Sequence, residues 1–411
     1  MNGPSTNAQR HRRVLSLFLA TGLYWGIAAA PAFAQGDQPQ AAPDKKPPAA
    51  SATQANEDQS TDAKPSAQDK AKSKKKRKRR GEFVIAPIPI SSPALGSGIV
   101  PVVAYIFPLS TADKISPPSV VAATGVVTNN GTRAFALGGQ LFFKEDTYEV
   151  ATGFAKGNLN YDLYGLGSGA SQLKLPLNQT GKAFFGQVFR RIGWKFFAGP
   201  RFFAGNSLIT VRSTDVGSAP LPPDLGFNTT LTALGFGIKR DTRPNRFYAT
   251  TGTLLTFNAD FFSEALGSKY SFQSYNVTFN KYWSLSKNQV LAYNAFACFT
   301  GGQPPFYGNC IYGTQNELRG YTAGRYLDRY MLATQYEYRL TLPKRFGLVW
   351  FGGVGEVIPG GNQLFRNKNF LPSGGAGVRF EVSKAYHVNL RADFAQGIGS
   401  HTWSIGVGEA F

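Results

Sequence analysis

The sequence predicts an all-β chain: a transmembrane antiparallel β-barrel of about sixteen strands, preceded by a disordered N-terminal periplasmic arm. Three observations predict it. Glycine accounts for 46 of the 411 residues and aromatic residues for 14%, which is typical of many short, twisted strands. Apolar and polar residues alternate from Glu82 to Phe411 in segments of about ten residues. After residue 34, no apolar run reaches the roughly 20 residues that a membrane helix needs.

The first 34 residues form a predicted signal peptide. Arginines within 10–13 precede an apolar core at 14–30, and Ala32 and Ala34 supply the small residues of a cleavage site. An uncleaved helical anchor is the alternative. Cleavage after Ala34 would place the mature chain outside the cytoplasm.

Residues 35–81 form the predicted disordered periplasmic segment. Ala, Pro, Gln, Ser, Asp and Lys dominate, and no aromatic residue is present, so the segment cannot bury enough apolar surface to offset its chain entropy. Its end is a basic arm, which comprises Lys74, Lys75, Lys76, Arg77, Lys78, Arg79 and Arg80. Behind a signal peptide, nucleic acid is excluded as its partner. The arm is either a solvated linker or a contact for anionic lipid headgroups.

Residues 82–411 form the predicted barrel domain. Within 387–397, Val388 and Leu390 share one face of a strand, and Asn389 and Arg391 share the other. A soluble sandwich gives the same alternation, with its apolar face inward. Phe, Tyr and Trp near segment ends and Gly within strands favour the barrel, whose apolar face meets lipid. Together with the signal peptide, this pattern predicts the bacterial outer membrane as the location and its lipid as a partner.

The lengths of the connections predict the strand count. Outer-membrane barrels alternate short periplasmic turns with longer external loops. The expected short turns lie near 129–131, 157–158, 191–193, 286–288, 343–345 and 383–385. The expected loops lie near 166–180, 206–227, 300–327 and 357–371. Strict alternation gives an even number of strands, with the last strand ending in the periplasm.

The last strand carries a predicted insertion signal. Trp403, Ile405, Val407 and Phe411 are expected to share one face, and a terminal aromatic residue on such a strand resembles the signal by which outer-membrane proteins are recognised for insertion. Glu409 departs from this apolar face and is expected at the level of the lipid headgroups, where a charge costs little.

Catalytic and metal-binding motifs find no support in the sequence. It contains three His residues, no His-Glu-x-x-His, no Cys-x-x-Cys and no Gly-x-Ser-x-Gly. We therefore expect neither an enzyme nor a cofactor. Cys298 and Cys310 are the only cysteines, and in an exported chain they predict a disulfide at the base of a long loop, with free thiols as the alternative.

One short motif carries a family resemblance. Leu-Arg-Gly-Tyr at 318–321, in the long loop before the fifth strand from the end, resembles the hallmark motif of the BamA/TamA family of outer-membrane assembly proteins, or bacterial surface antigens. Other segments resemble that family in the same order; they are 86–101, 235–252, 335–342 and 390–397, followed by the C-terminal Gly-Glu-Ala-Phe.

The resemblance implies a loop that folds back into the barrel. Its arginine would pair with acidic groups on the inner wall, and a buried arginine without a carboxylate would be costly. We call the predicted arrangement the loop latch: Arg319, Gly320 and Tyr321 with Glu337. Gly353 stands where the family usually has Asp, and Glu381 or Asp393 would then serve as a further partner. A loop arginine in solvent is the alternative.

The resemblance also implies a function. The expectation is assembly or translocation of outer-membrane proteins or lipid, through a weak seam between the first and last strands, placed near 99–107 and 403–411. The family's periplasmic polypeptide-transport-associated domains have no counterpart in 35–81, so a separate periplasmic partner would supply client capture. A passive channel with a loop plug, or an accessory role through the basic arm, are the alternatives.

Overall fold

The structure, a computed structural model, describes residues 81–92, 96–110, 112–164, 174–212, 226, 228–313, 317–322, 325–361 and 370–411. The predicted signal peptide, the predicted disordered segment and its basic arm, Lys74 to Arg80, lie outside the described residues. Among the described residues, no helix is long and apolar enough to cross a membrane.

Sixteen antiparallel strands form one sheet, which confirms the predicted fold class and strand count. Two further short strands, Cys310–Ile311 and Leu327–Asp328, pair with each other within one of the connections. The strands are β1 (Glu82–Ser92), β2 (Gly96–Phe107), β3 (Ser119–Thr128), β4 (Arg133–Phe143), β5 (Tyr148–Tyr164), β6 (Lys174–Gly193), β7 (Phe196–Val211), β8 (Asn228–Asp241), β9 (Gly252–Phe262), β10 (Phe272–Ser286), β11 (Gln289–Gly302), β12 (Cys310–Ile311), β13 (Leu327–Asp328), β14 (Tyr330–Thr341), β15 (Phe346–Ile358), β16 (Leu371–Ser383), β17 (Val388–Gly397) and β18 (Ser400–Val407). One-turn 3-10 helices lie at Glu264–Leu266 and Phe306–Gly308.

The alternation along the strands places polar groups inside and apolar groups outside. On β14, the side chains of Gln335, Glu337 and Arg339 are buried, whereas Tyr336 between them is 51% exposed. On β15, Trp350 is likewise exposed. Because charged residues line the interior and aromatic residues the exterior, a soluble sandwich is excluded.

The expected turn at 157–158 is wrong. Gly157 and Asn158 lie within β5, where Gly157 pairs with Gly181 of β6. A Cβ at Gly157 would lie 2.4 Å from the Cβ of Ala134, so this glycine permits close approach of β4 and β5. The turn lies at 144–147 instead, and it contains no glycine that could have marked it.

The connections define two ends of the barrel. We call the end with the turns at 144–147, 194–195, 287–288, 342–345 and 384–387 the turn end, and the opposite one the loop end. The expected strict alternation of lengths is wrong, because the connections 108–118 and 242–251 at the turn end are long.

The first strand of the sheet is β1, not the segment 99–107, which lies in β2. The predicted position of the seam is therefore wrong on that side. Pro87 and Pro89 lie in β1, and proline cannot donate to a ladder, so it occurs at sheet edges. Two prolines so close together argue against a strand when only the sequence is read, but they are compatible with a strand at the edge of the sheet.

The two ends of the sheet, β1 and β18, overlap. Ile88 of β1 belongs to a buried apolar cluster against which Leu390 of β17 and Ile405 of β18 pack. Leu390 and Ile405 alternate with the buried Arg391 and Ser404, which face the lumen. The β1–β2 hairpin therefore covers the outer face of the β17–β18 hairpin. Within the described ranges, the sheet order ends at β1 and β18 without a ladder between them.

Candidate functional site

The long connection between β11 and β14 carries the predicted motif. Its base is closed by a disulfide between Cys298 and Cys310, whose Cα atoms lie 5.8 Å apart, as predicted. The β12–β13 ribbon follows, with Cys310 paired to Asp328. Beyond this ribbon the loop enters the lumen, where Leu318 and Tyr321 are 1% and 0% exposed.

Arg319 is buried inside the barrel and is 1% exposed. Its Nη2 atom lies 2.6 Å from Oε2 of Glu337 on β14, and its Nη1 atom donates to Oδ2 of Asp393 on β17 at 2.9 Å. Nη2 also donates to the amide oxygen of Gln335 at 3.2 Å. The guanidinium carbon lies 3.4 Å from the ring centroid of Phe351 on β15. One loop side chain thus contacts three strands.

Further arginines surround the same carboxylates. Arg339 donates to Glu337 at 2.7 Å, and Arg379 donates to Asp393 at 2.5 Å. We define the lumen cluster as Arg319, Glu337, Arg339, Arg379, Arg391, Asp393 and Glu409, all with side chains at most 4% exposed. Buried charges require such mutual pairing, because an isolated buried ion is very costly. The cluster holds β14, β16 and β17 around the loop.

The other motif residues dock the loop on the last strands. The Gly320 amide donates to Oγ1 of Thr402 at 3.1 Å, and its φ of +105° favours glycine. A Cβ at Gly320 would lie 2.9 Å from the Cβ of Ser373. The Tyr321 hydroxyl donates to the carbonyl of Pro372 at 2.6 Å. The loop therefore contacts β14 through β18 and holds them together.

Comparison with known proteins decides the family. The model of the Omp85 superfamily domain matches residues 130–411, which is more than half of the chain. The chain belongs to the Omp85 superfamily. The predicted family resemblance is confirmed, and membership together with the barrel fold indicates an outer-membrane location. A search of the curated proteins finds no match.

Solved structures show the same fold. The Omp85 barrel is similar to BamA from Haemophilus ducreyi lacking POTRA domains 1–3, with 13% identity, a TM-score of 0.50, and 80% of this chain and 70% of that chain covered. It is also similar to CdiB from Acinetobacter baumannii (10%, TM-score 0.53, 80% and 60% covered) and to CdiB from Escherichia coli (11%, 0.52, 81% and 68%). This chain thus spans less than two thirds of the first CdiB. At these identities the likeness establishes the fold.

Of the two expected further partners of Arg319, Asp393 contacts it and Glu381 does not. Glu381 does not contact Arg319; its Oε1 lies 2.9 Å from Nδ1 of His387. Asp393 pairs with Gly377 in the ladder between β16 and β17. Glu381 follows Gly377 by four residues on β16, so it lies roughly 13 Å from the height of Asp393, toward the turn end. At Gly353, a Cβ would lie 2.6 Å from Leu318, so the loop itself fills this position.

The last residues of the Omp85 barrel also differ from expectation. Trp403, Ile405 and Val407 lie on β18 as expected, but the strand ends at Val407. Gly408 adopts a φ of +88°, and the chain turns into the lumen. Glu409 is therefore not at the headgroups: its carboxylate accepts hydrogen bonds from Arg379 and Asn389, both at 2.7 Å.

Phe411 lies in the lumen rather than on the outer face of the last strand. It packs against a buried cluster that contains Ala249 and Tyr282, and its main-chain oxygen accepts a hydrogen bond from Arg339 at 2.9 Å. Alternation could not reveal this position, because it depends on the backbone turn at Gly408. The role of the four residues as an insertion signal stays a prediction.

The connection 242–251 crosses the turn end of the Omp85 barrel. Nη1 of Arg246 lies 3.2 Å from Oε2 of Glu149 on β5. Asn245 donates to the main-chain oxygen of Tyr386, between β16 and β17, at 3.4 Å. Glu149 also pairs with Lys239. The sequence marked this segment only by family resemblance, and gave no signal that it spans the lumen.

One buried carboxyl in the loop has no charged partner of its own. Glu317 is 2% exposed, and its Oε2 atom has no hydrogen-bond partner. Burial raises the pKa of this carboxyl to about 8. Glu317 is therefore protonated in the docked loop at neutral pH, beside the charged lumen cluster. Among the described residues, no group of His, Cys, Asp and Glu could hold a metal ion.

Proposed function

We propose that this barrel assembles or translocates outer-membrane proteins by opening the seam between β1 and β18. The observation that carries the proposal is the seam itself. Every other neighbouring pair of barrel strands is joined by a ladder, whereas β1 and β18 end the sheet and are held by overlapping apolar side chains. An unpaired strand edge is a template for another strand.

The chemistry of the overlap suits opening within a bilayer. Breaking a backbone ladder in lipid leaves each polar group unsatisfied, at a cost of several kcal/mol. Separating Ile88 and Val100 from Ile405 instead exposes alkyl groups to acyl chains, which are equally apolar. The seam can therefore part at low free energy, and the freed edges then gain by pairing with a client strand.

The lumen cluster determines which side of the seam moves. Arg319 and Asp393 hold the loop to β17, and Gly320 holds it to β18 through Thr402. No comparable set of charges ties the described residues of β1 and β2 to the loop. The loop latch thus keeps β14 to β18 as a rigid wall, and the β1–β2 hairpin is the part that swings away.

Cross-linking the seam tests the proposal. The Ser383 hydroxyl donates to Oε2 of Glu82 at 2.5 Å, which joins the start of β1 to the end of β16. In Glu82→Cys/Ser383→Cys protein in liposomes, a short thiol cross-link is expected to block insertion of a urea-unfolded eight-stranded barrel. The controls are the Glu82→Cys variant, the Ser383→Cys variant and the unaltered protein, each with its Cys298–Cys310 disulfide and treated with the same reagent. Full insertion by the cross-linked protein would refute lateral opening.

A passive channel is the alternative function, and two measurements separate it. A channel conducts in planar bilayers and keeps its conductance when the seam is cross-linked. An assembly barrel is needed for its clients, so depletion followed by outer-membrane proteomics should lower the abundance of other barrels. If every other outer-membrane protein stays at normal abundance, the assembly proposal fails.

The two N-terminal segments, 1–34 and 35–81, would also contribute to this function. A cleaved signal peptide at 1–34 would export the chain, and a basic arm that contacts anionic headgroups would keep 35–81 near the membrane. A periplasmic partner would then deliver clients to the turn end, since short turns face the periplasm in such barrels.

A further inference from the structure

An open groove of about 400 Å³ lies on the outer surface at the turn end. Its floor is formed by Tyr148 and Val150 of β5 and Val188 of β6, and its rim by Pro108 and Leu109 of the connection 108–118. Val188 is 47% exposed and alternates with inward-facing neighbours, so the groove opens toward lipid. Its floor lies on β5 and β6, away from the seam between β1 and β18.

Tertiary hydrogen bonds hold the groove open. Oδ2 of Asp113 accepts hydrogen bonds from the Ser116 hydroxyl at 2.6 Å and from the Glu145 amide at 2.9 Å. Oγ of Ser116 accepts from the Asp146 amide at 2.7 Å. Lys144, Glu145 and Asp146 all have left-handed φ values, of 49°, 57° and 61°, which non-glycine residues rarely adopt. Hydrogen bonds from the turn amides to acceptors in 108–118 thus stabilise the turn that carries Lys144.

Two cations flank the aromatic ring at the groove. Nζ of Lys144 lies 5.7 Å and the guanidinium carbon of Arg190 lies 6.0 Å from the ring centroid of Tyr148. Arg190 is the cross-strand partner of Tyr148, and both cations are exposed. Asp113 also lines the groove, but both of its oxygens accept hydrogen bonds from its own connection and from Glu145.

The surroundings match the level of the membrane interface. Leu109 and Ile115 are 42% and 61% exposed, and Trp194 on the next turn is 90% exposed. Tryptophan and basic side chains concentrate at this level, where apolar groups enter lipid and cations meet headgroups. Further basic residues on these turns are Lys114, Arg191 and Lys195.

We propose that the groove binds one anionic phospholipid of the leaflet that faces the turns. An acyl chain lies along Val150 and Val188, and the phosphate lies between Lys144 and Arg190. Charge complementarity selects the ligand: a net anionic headgroup gains from both cations, whereas a zwitterionic one carries its own amine beside them. The site goes beyond client assembly, and a failure of the seam experiment would leave it untouched.

Native mass spectrometry of the full chain, released from detergent with added lipid, tests the proposal. We expect phosphatidylglycerol to remain bound at concentrations where phosphatidylethanolamine does not. The Lys144→Glu/Arg190→Glu variant should weaken phosphatidylglycerol binding by about tenfold or more. Val188→Trp fills the groove from the exposed side and should displace the lipid without any change of charge.

The matched control is Lys281→Glu, compared with the single variants Lys144→Glu and Arg190→Glu, because each of these reverses one charge. Lys281 lies over the ring of Trp283 at 5.8 Å on β10, at the same end of the barrel but outside the groove. Its reversal should leave phosphatidylglycerol binding within about twofold. Heat-modifiable migration on gels checks that every variant folds. Equal binding of both lipids by the unaltered protein, or equal losses in the control and the groove variants, would overturn the proposal.

Discussion

Removing the guanidinium of Arg319 should release the loop from the lumen. Taking one partner from a buried ion pair costs about 3–5 kcal/mol. After the substitution, Glu337 would still pair with Arg339 at 2.7 Å, and Asp393 would still pair with Arg379 at 2.5 Å. Because neither carboxylate would be left without a cation, the lower end of that range applies. The lost contact with Phe351 adds about 1–2 kcal/mol, since both groups are desolvated. Docking then weakens by about 4 kcal/mol, several hundredfold in the docked-to-released ratio.

Chymotrypsin measures this release. Tyr321 is 0% exposed in the docked loop and becomes a cleavage site when the loop leaves the lumen. We expect Arg319→Ala to raise the rate of cleavage after Tyr321 by at least about a hundredfold. The cleavage rate of Arg319→Lys should lie between those of the unaltered protein and Arg319→Ala. An ammonium keeps the charge but lacks the planar fork that reaches two carboxylates.

The control for this prediction lies in the same loop. Arg325 donates to the main-chain oxygen of Gly399 at 2.6 Å near the surface, so Arg325→Ala should change the cleavage rate by less than about fivefold. If Arg319→Ala and Arg325→Ala are cleaved at the same rate, the lumen cluster does not hold the loop and the reasoning is refuted.

Three further predictions concern the loop and the barrel wall that it contacts. Replacing Cys298 and Cys310 by serine opens a loop with a sequence separation of 12 and should destabilise the fold by about 3 kcal/mol, seen as a lower temperature of heat-modifiable unfolding; an unchanged temperature would contradict it. Burial raises the pKa of Glu317 from 4.5 to about 8, so the docked loop binds more protons than the released loop. Docking is therefore strongest below pH 4.5, and its equilibrium constant falls by up to tenfold per pH unit until about pH 8. The chymotrypsin rate is divided at each pH by its rate on a free peptide of the same loop sequence, because the protease itself titrates in this range. Glu317→Gln should abolish the pH dependence of this ratio, and a retained slope would show that another group titrates. Gly353→Ala places a Cβ 2.2 Å from a carbonyl oxygen and should cost about 1–3 kcal/mol, whereas Gly352→Ala meets its nearest atom at 3.6 Å and should be tolerated; equal unfolding temperatures would count against the close approach.

Local rules explain which parts of the site could be predicted. Alternation places Glu337 and Asp393 on the inner face of their strands, and the family motif brings Arg319 toward that face. Alternation alone could not distinguish Asp393 from Glu381 as the partner of Arg319, since it places both side chains on the inner face. Only the ladder register, which puts Asp393 level with Gly377, decides between them. Alternation gives the face of a residue but not its height along the barrel wall.

Long-range features had no such local signal. The turn at 144–147 lacks glycine and depends on hydrogen bonds that its amides donate to Asp113 and Ser116, which lie about thirty residues earlier in the chain. The inward turn of the last residues depends on Gly408 and on Arg379, which holds Glu409. Such features need partners distant in sequence, so no window of neighbouring residues could show them.

The sequence by itself determined the barrel, its strand count, its two candidate disulfide cysteines and its family, because a period of two, the cysteine content and a short motif can all be read along the chain. Tertiary structure decided what closes the barrel. The β1–β2 hairpin overlaps the outer face of β17–β18 instead of extending a ladder, the connection 242–251 crosses the turn end, and Phe411 enters the lumen. The physical reason is curvature: where the two ends of a curved sheet meet depends on the accumulated twist and register of all sixteen strands.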